Sequence, residues 1–325
     1  MPQYPREEIA LHFIETPTVF PVGPVNVYLY PGPPVTLFDA GTNTQEAFEA
    51  LNNGLAAEGV LLADIDQVIL THHHLDHIGL VRRIKEASGA RILAHREVPA
   101  RLPSITNETV LRKQLKYLLA ELGAPQTMAE EVIRQRLSLL NLMDEIEIDE
   151  VFEDGAGIGP FTAHFRPGHS STDCIFTHAP QNWAVTGDHL IHRVTPNPLL
   201  RWNPRLEARE RSLVLYYESL LKTRDLEISW CFAGHGAPFH DHRAAIDSTI
   251  QHIERRGERT LNALPPEGDT PYEMTLRLFP HPRKDSFYYC LSAVTGYLDF
   301  LEMRGKVALD ISGGITRYIP VSPSA

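Results

Sequence analysis

Thr71-His72-His73-His74-Leu75-Asp76-His77 contains the spacing His-x-His-x-Asp-His, set by His72, His74, Asp76 and His77. Three imidazoles and a carboxylate within six positions offer nitrogen and oxygen ligands to borderline transition metals, zinc above all. Before the cluster, Asp66-Gln67-Val68-Ile69-Leu70 reads as a short buried strand. After it, residues 78–87 read as a helix with Leu80, Val81, Ile84 and Ala87 on one face and Gly89 just past its end. The cluster therefore occupies the loop where a strand hands over to a helix. In an extended loop His72 and His74 point to one side and can share an ion, whereas Asp76 and His77 turn toward a second position. Asp76 is also expected to cap the helix.

Three further segments place a ligand-type residue beside glycine after an apolar run: Pro167-Gly168-His169-Ser170, Thr186-Gly187-Asp188-His189 and Ala233-Gly234-His235-Gly236. This ordered set resembles the metallo-β-lactamase superfamily, and within it the dinuclear, glyoxalase II-like hydrolases, over about residues 20–240. The resemblance implies an α/β fold, an αββα sandwich of two mixed β-sheets flanked by helices. It also implies a ligand set: His72, His74 and His169 for one ion, Asp76, His77 and His235 for a second, and Asp188 bridging both. Asp76 and Asp188 are then the catalytic carboxylates. Asp39, in Asp39-Ala40-Gly41 at the end of a strand, is placed beneath the site to hold a liganding imidazole, or else it caps the next helix. Two divalent ions are expected, zinc first, with iron or manganese as alternatives. With two carboxylates and a bridging hydroxide the site sums to about +1, and the hydroxide, formed near neutral pH, is the expected nucleophile. Ser170 beside His169 offers no support for a serine triad, because adjacency in sequence says nothing about geometry.

The rest of the chain surrounds this core. Strands are expected at 9–14, 25–30, 35–38, 91–95, 161–166, 173–177, 183–186 and 228–233, and helices at 44–57, 206–223 and 243–264. Residues about 98–145 form a helical insertion, with helices at 108–122 and 129–142 that carry leucine-rich stripes. An insertion beside a cleft suits a pocket roof. Residues 1–264 are expected to form the main domain. Residues 265–325, with helices at 272–278 and 284–304 and a hairpin over 306–321, resemble a small winged-helix-like appendage. Near the centre, His189, His192, Arg193, Arg201 and Arg205 are candidates for touching substrate, with His192 and Arg193 singled out.

The 325 residues carry a net charge of −11, which argues against general polyanion binding. The favoured function is hydrolysis of a small-molecule thioester, ester or lactone. The alternative is phosphodiester cleavage with the C-terminal module binding RNA, which the acidic total and the lack of a basic stripe disfavour. The expected partner is a small molecule, with nucleic acid and membrane disfavoured and a homodimer compatible with the reading. No stretch has the apolar length of a membrane span, the first eight residues lack the pattern of a signal peptide, and Cys174, Cys231 and Cys290 are unpaired in spacing. A cytoplasmic protein is the expectation.

Overall fold

The computed structural model describes Pro5 and residues 8–321, so most of the amino-terminal octapeptide lies outside the described residues. Six strands form the first sheet in the order β1 (His12–Thr16), β2 (Val25–Tyr30), β3 (Thr36–Phe38), β4 (Gln67–Ile69), β5 (Arg91–His95) and β6 (Glu150–Phe152). The first three pair antiparallel and the last four parallel. The second sheet contains β7 (Gly157–Ile158), β8 (Phe161–Phe165), β9 (Cys174–His178) and β10 (Trp183–Gly187). A short hairpin, β11 (Trp202–Asn203) and β12 (Ala208–Arg209), follows in the chain, and then β13 (Trp230–Ala233) joins the second sheet parallel to β10.

The two-residue side-chain period of these strands builds three cores from two sheets. In β2 to β5, Val27, Leu29, Leu37, Val68, Ile92 and Ala94 face outward. They pack against α1 (Gln45–Ala57), α2 (Leu75–Ile78) and α3 (Val81–Ser88). Their neighbours Tyr28, Phe38, Ile69 and Leu93 face inward onto Phe161, Phe176, Trp183 and Phe232 of the second sheet. Ala184, Cys231 and Ala233 point out of the far side, against α8 (Ser212–Arg224) and α9 (His242–Ala263). The result is a helix–sheet–sheet–helix sandwich. Burying both faces of each sheet explains why the strands are apolar almost throughout rather than alternating.

The insertion is helical: α4 (Val98–Arg101), α5 (Pro103–Thr106), α6 (Glu108–Glu121) and α7 (Gln126–Leu137), with a 3-10 turn over Ser138–Leu142. Its apolar stripe joins Leu115, Leu119, Leu122, Val132 and Ile133 to Leu200 and to Phe287, Tyr288 and Leu291. The last three belong to α11 (Phe287–Met303), which follows α10 (Pro271–Leu278). Farther along α11, Phe300 packs with Tyr216 and Ile253 of α8 and α9. The hairpin β14 (Val307–Asp310) and β15 (Arg317–Pro320) closes on Leu298 and Met274. Among the described residues no helix is long and apolar enough to cross a membrane, and all three cysteines are free thiols.

Three sequence expectations are corrected. The first strand runs over His12–Thr16, not 9–14. The helix after the histidine cluster is two pieces, bent after Ile78. A side chain at Gly79 would meet the backbone nitrogen of Asn43 at 2.3 Å, so the chain passes there only as glycine. The helix expected at 206–223 starts only at Ser212. Residues 202–209 form the short hairpin instead, with Glu207 left-handed at φ 47° at its turn.

Candidate metal centre

Every loop of the centre leaves the carboxyl end of a strand, the His169 loop that of β8. The 71–77 loop follows β4, the Asp188 loop follows β10, and the His235 loop follows β13. His72, His74 and His169 bring ligand atoms within 4.8 Å of one another, and so do Asp76, His77 and His235. Asp188 lies between the groups. Its Oδ2 is 3.3 Å from His169 Nε2 and 3.5 Å from His235 Nε2, and its Oδ1 is 3.5 Å from His77 Nε2. His169 Nε2 lies 2.9 Å from His74 Nδ1, and His235 Nε2 lies 3.6 Å from Asp76 Oδ2. The seven residues named from the sequence thus converge.

Three of the imidazoles are aimed by a hydrogen bond at the other ring nitrogen. Thr71 Oγ1 lies 2.9 Å from His72 Nδ1, Asp39 Oδ2 lies 2.8 Å from His77 Nδ1, and the Pro24 carbonyl lies 2.8 Å from His235 Nδ1. That leaves Nε2 of His72, His77 and His235, with Oδ1 of Asp188, buried and without a hydrogen-bond partner among the described residues. Buried polar atoms are ordinarily satisfied. Four orphans converging on one spot, on nitrogen and oxygen donors of the type that hold divalent metals, fit a metal site. Asp39, His72 and His77 also come within range of one another, but both Asp39 oxygens are already taken by Thr71 and His77. Asp39 therefore orients His77, and it does not cap the following helix, whose cap is Thr44.

The electrostatics divide the site in two. Burial, with neighbouring imidazoles, holds His72 and His74 well below the ordinary histidine range, and burial brings His169 down to about 4. At His235, burial is outweighed by the Asp188 and Asp76 carboxylates, which push it up to about 10. His77 is raised in the same way by Asp188, Asp39 and Asp76. In return, His77 and His235 outweigh burial at Asp188 and hold it well below the carboxylate range. Positive charge is favoured in this half of the site whether protons or metal ions supply it.

The matches with known proteins agree with this geometry. Residues 20–235 match the family model described as "Metallo-beta-lactamase superfamily". The chain belongs to the metallo-β-lactamase superfamily. It is a metallo-hydrolase of that fold with His/Asp metal-binding groups. It is 32% identical over 298 residues to the Bacillus subtilis (strain 168) protein named "Probable metallo-hydrolase YqjP", covering 89% of this chain and 91% of that one. A metallo-beta-lactamase family protein from Thermus thermophilus superposes with a TM-score of 0.81 at 26% identity, covering 96% of this chain and 99% of the other. A beta-lactamase domain protein from Burkholderia ambifaria has the same fold, with a TM-score of 0.77 at 18% identity over 96% and 93% of the two chains.

Several expectations for single residues need correction. Asp76 is not a helix cap: the short helix opens at Leu75 behind His74, and Asp76 sits inside its first turn facing His235. His189 is buried, bonded to Thr223 Oγ1 at 2.8 Å, and does not line the cavity at the metal groups. Arg201 is consumed by the carbonyls of Gly168 and His169 and by Glu210, so it clamps the His169 loop. Arg205 is paired with Glu97 at 2.6 Å. Ser170, for which no triad is expected, bonds within its own loop, through its hydroxyl to the Thr172 backbone and through its backbone to Asp173.

His192 and Arg193 lie outside the cavity at the metal groups, in a neighbouring cavity. Sequence reading also missed Asn26. Its amide donates to the carbonyls of Ala233 and Gly236 and fixes the His235 loop. The signal was present, as a lone amide in the apolar run Val25-Asn26-Val27-Tyr28-Leu29-Tyr30.

Proposed function

We propose that this metallo-hydrolase holds two divalent ions, zinc by preference, and hydrolyses a small-molecule thioester, ester or lactone with an apolar acyl group. His72, His74 and His169 would hold one ion and Asp76, His77 and His235 the other, with Asp188 shared. When bound, such ions supply a hydroxide nucleophile near neutral pH and polarise the substrate oxygen. For a thioester, the oxygen of water joins the acyl carbon, the C–S bond breaks with its electrons on sulfur, and the thiolate takes up a proton.

The observation that carries the reading is the cavity of about 290 Å³ over the metal groups. Its floor is His74, Asp76, His169 and Asp188, and its walls include Phe20, Val22, Ile105, Leu139, Ile191 and Leu199. Such walls exclude water from the reacting carbonyl and hold an alkyl chain. Ile105, Arg136 and Leu139 come from the insertion, which supports its role as a roof. Tyr289 of α11 also lines the cavity, which supports the C-terminal residues closing one side of the cleft. A 39-residue segment at 49% identity to a Pseudomonas paraeruginosa hydroxyacylglutathione hydrolase, 11% of this chain and 15% of that protein, adds support for a thioester. The walls beside the metal groups are largely apolar, which favours an alkyl chain over a nucleic-acid strand at the reacting centre.

The test is a hydrolysis panel on metal-loaded protein: acyl thioesters of several chain lengths, a lactone and a single-stranded RNA, with Asp188→Ala as blank. Thioester, ester or lactone turnover absent from the blank supports the reading. RNA cleavage alone overturns it.

A further inference from the structure

Beside the metal cavity lies a second one of about 420 Å³, lined by His192, Arg193, His240, His252 and Arg255. The two cavities share Val194 and Thr195, so the same short segment forms the lip between them. One wall is the tight turn Ile191–Val194, closed by a hydrogen bond from the Val194 amide to the Ile191 carbonyl. Arg193 is left-handed there at φ 62° and exposed, and His192 stacks on Phe239 with ring centroids 5.3 Å apart. The other wall is one face of α9: Ala244, Ala245, Ser248, His252 and Arg255 recur at three- and four-residue steps.

In a chain of net charge −11 this groove gathers two arginines and three histidines against one carboxylate, Asp241. That carboxylate is turned onto the Ala244 amide as the cap of α9. Of the other acids on the helix, Asp247 is paired with Arg224 and Glu254 with Arg304, and Glu258 does not line the groove. No carboxylate within ion-pair distance of Arg193 or Arg255 occurs among the described residues. His192 is lowered by burial and then by Arg193 and His240, and His252 by burial and then by Arg256 and Arg255, as expected where cations crowd together.

We infer that the groove binds the phosphate-bearing part of the substrate's leaving group, so that the preferred substrates are acyl thioesters of a phosphorylated thiol. The inference rests on the hydrolase reading above and names its substrate class. The acyl chain occupies the apolar cavity, the reacting carbonyl lies over the metal groups, and the leaving group crosses the Val194–Thr195 lip into the basic groove. Guanidinium groups and imidazoles suit phosphate oxygens, and a site of this kind favours multiply charged over neutral leaving groups.

The experiment compares two thioesters of one acyl chain on metal-loaded protein: the coenzyme A thioester, which carries phosphates, and the N-acetylcysteamine thioester, which is uncharged. The wild type is expected to show a kcat/KM ratio of at least about tenfold in favour of the phosphorylated substrate, and the ratio should shrink as salt rises. The double variant Arg193→Asn, Arg255→Gln keeps a residue tolerant of left-handed backbone at 193 and a helix former at 255. It should lower the ratio roughly five- to tenfold.

Turnover of both substrates with a ratio near one, unchanged in the double variant, overturns the groove while leaving the hydrolase reading standing. Should neither thioester be turned over, equilibrium dialysis with adenosine 3′,5′-bisphosphate decides. Saturable binding that is lost in the double variant supports the groove, and no saturable binding overturns it.

Discussion

Asp39 Oδ2 lies 2.8 Å from Nδ1 of His77, and its Oδ1 accepts the Thr71 backbone N–H at 2.8 Å. One buried carboxylate thus ties the first residue of the histidine loop to an imidazole six positions later and points His77 Nε2 into the centre. Asp39 is left-handed at φ 63°, which asparagine also adopts readily. Asp39→Asn is therefore a clean test. It should fold, and it should bind metal about 10- to 100-fold more weakly, the usual cost of losing such an orienting partner. Metal-competition titration measures it, and unchanged affinity would detach Asp39 from the site.

His72 and His73 are sequence neighbours with different fates. His72 sends an unpartnered Nε2 into the centre, whereas His73 Nδ1 lies 2.7 Å from Thr172 Oγ1. His72→Ala should lose metal and activity together. His73→Ala should keep its metal and lose about 1–3 kcal/mol of stability from a buried hydroxyl left without its partner. Metal analysis with denaturant unfolding separates the two. Equal metal loss in both variants would mean that the register of the first ligand set is wrong.

Gly234 has no room for a side chain. A Cβ there would lie 2.3 Å from Asp188 Oδ1 and 2.7 Å from His77 Cε1. Gly234→Ala should displace the shared carboxylate and cut turnover by orders of magnitude while the sheets remain folded, as seen by circular dichroism. Near wild-type kcat in that variant would remove Asp188 from the reacting centre.

Metal-free protein should be most stable in a narrow pH window. His235, raised to about 10, and His77, also raised, contribute stability that is fully present below the unfolded histidine value of about 6.5 and is lost as pH rises through their folded values. His72, His74 and His169, the last at about 4, are lowered. They stay neutral in the fold, so the unfolded chain takes up their protons first and stability falls as pH drops below about 6.5. Melting temperature in chelator should therefore peak near that value and fall on both sides. The metal-loaded form should hold its stability on the alkaline side, because ions replace the protons. A flat alkaline limb without metal would contradict the charge pattern.

Ile105 and Leu139 reach the cavity from the insertion. Ile105→Ala and Leu139→Ala should shift acyl preference toward longer chains by roughly tenfold in relative kcat/KM, without changing metal content. This test is cleaner than deleting the insertion, which would strip the partners of Phe287, Tyr288 and Leu291.

The metal groups were readable from sequence because their spacing is local: four of the seven residues fall within six positions, and the other three each adjoin a glycine after an apolar strand. The sandwich was readable for a related reason, since strands buried on both faces appear as short apolar runs. What escaped depends on contacts between distant segments. The hairpin at 202–209 is held from outside, through the Arg101–Glu210 pair and the Arg209–Asp299 pair, so its helix-like composition misled. The basic groove joins a turn at 192–195 to a helix face some 50 residues away, and no local pattern announces that pairing. Arg201 counts among the candidate anion-binding arginines in the sequence because composition cannot show which carbonyls a guanidinium will find.

The most direct measurement is the metal content of the purified chain after equilibration with zinc and removal of free ion. Two ions per chain are expected, falling in His72→Ala, Asp188→Ala and His235→Ala. A wild-type chain that binds no ion, or content unchanged by all three replacements, would contradict the assignment of these buried side chains as a metal centre.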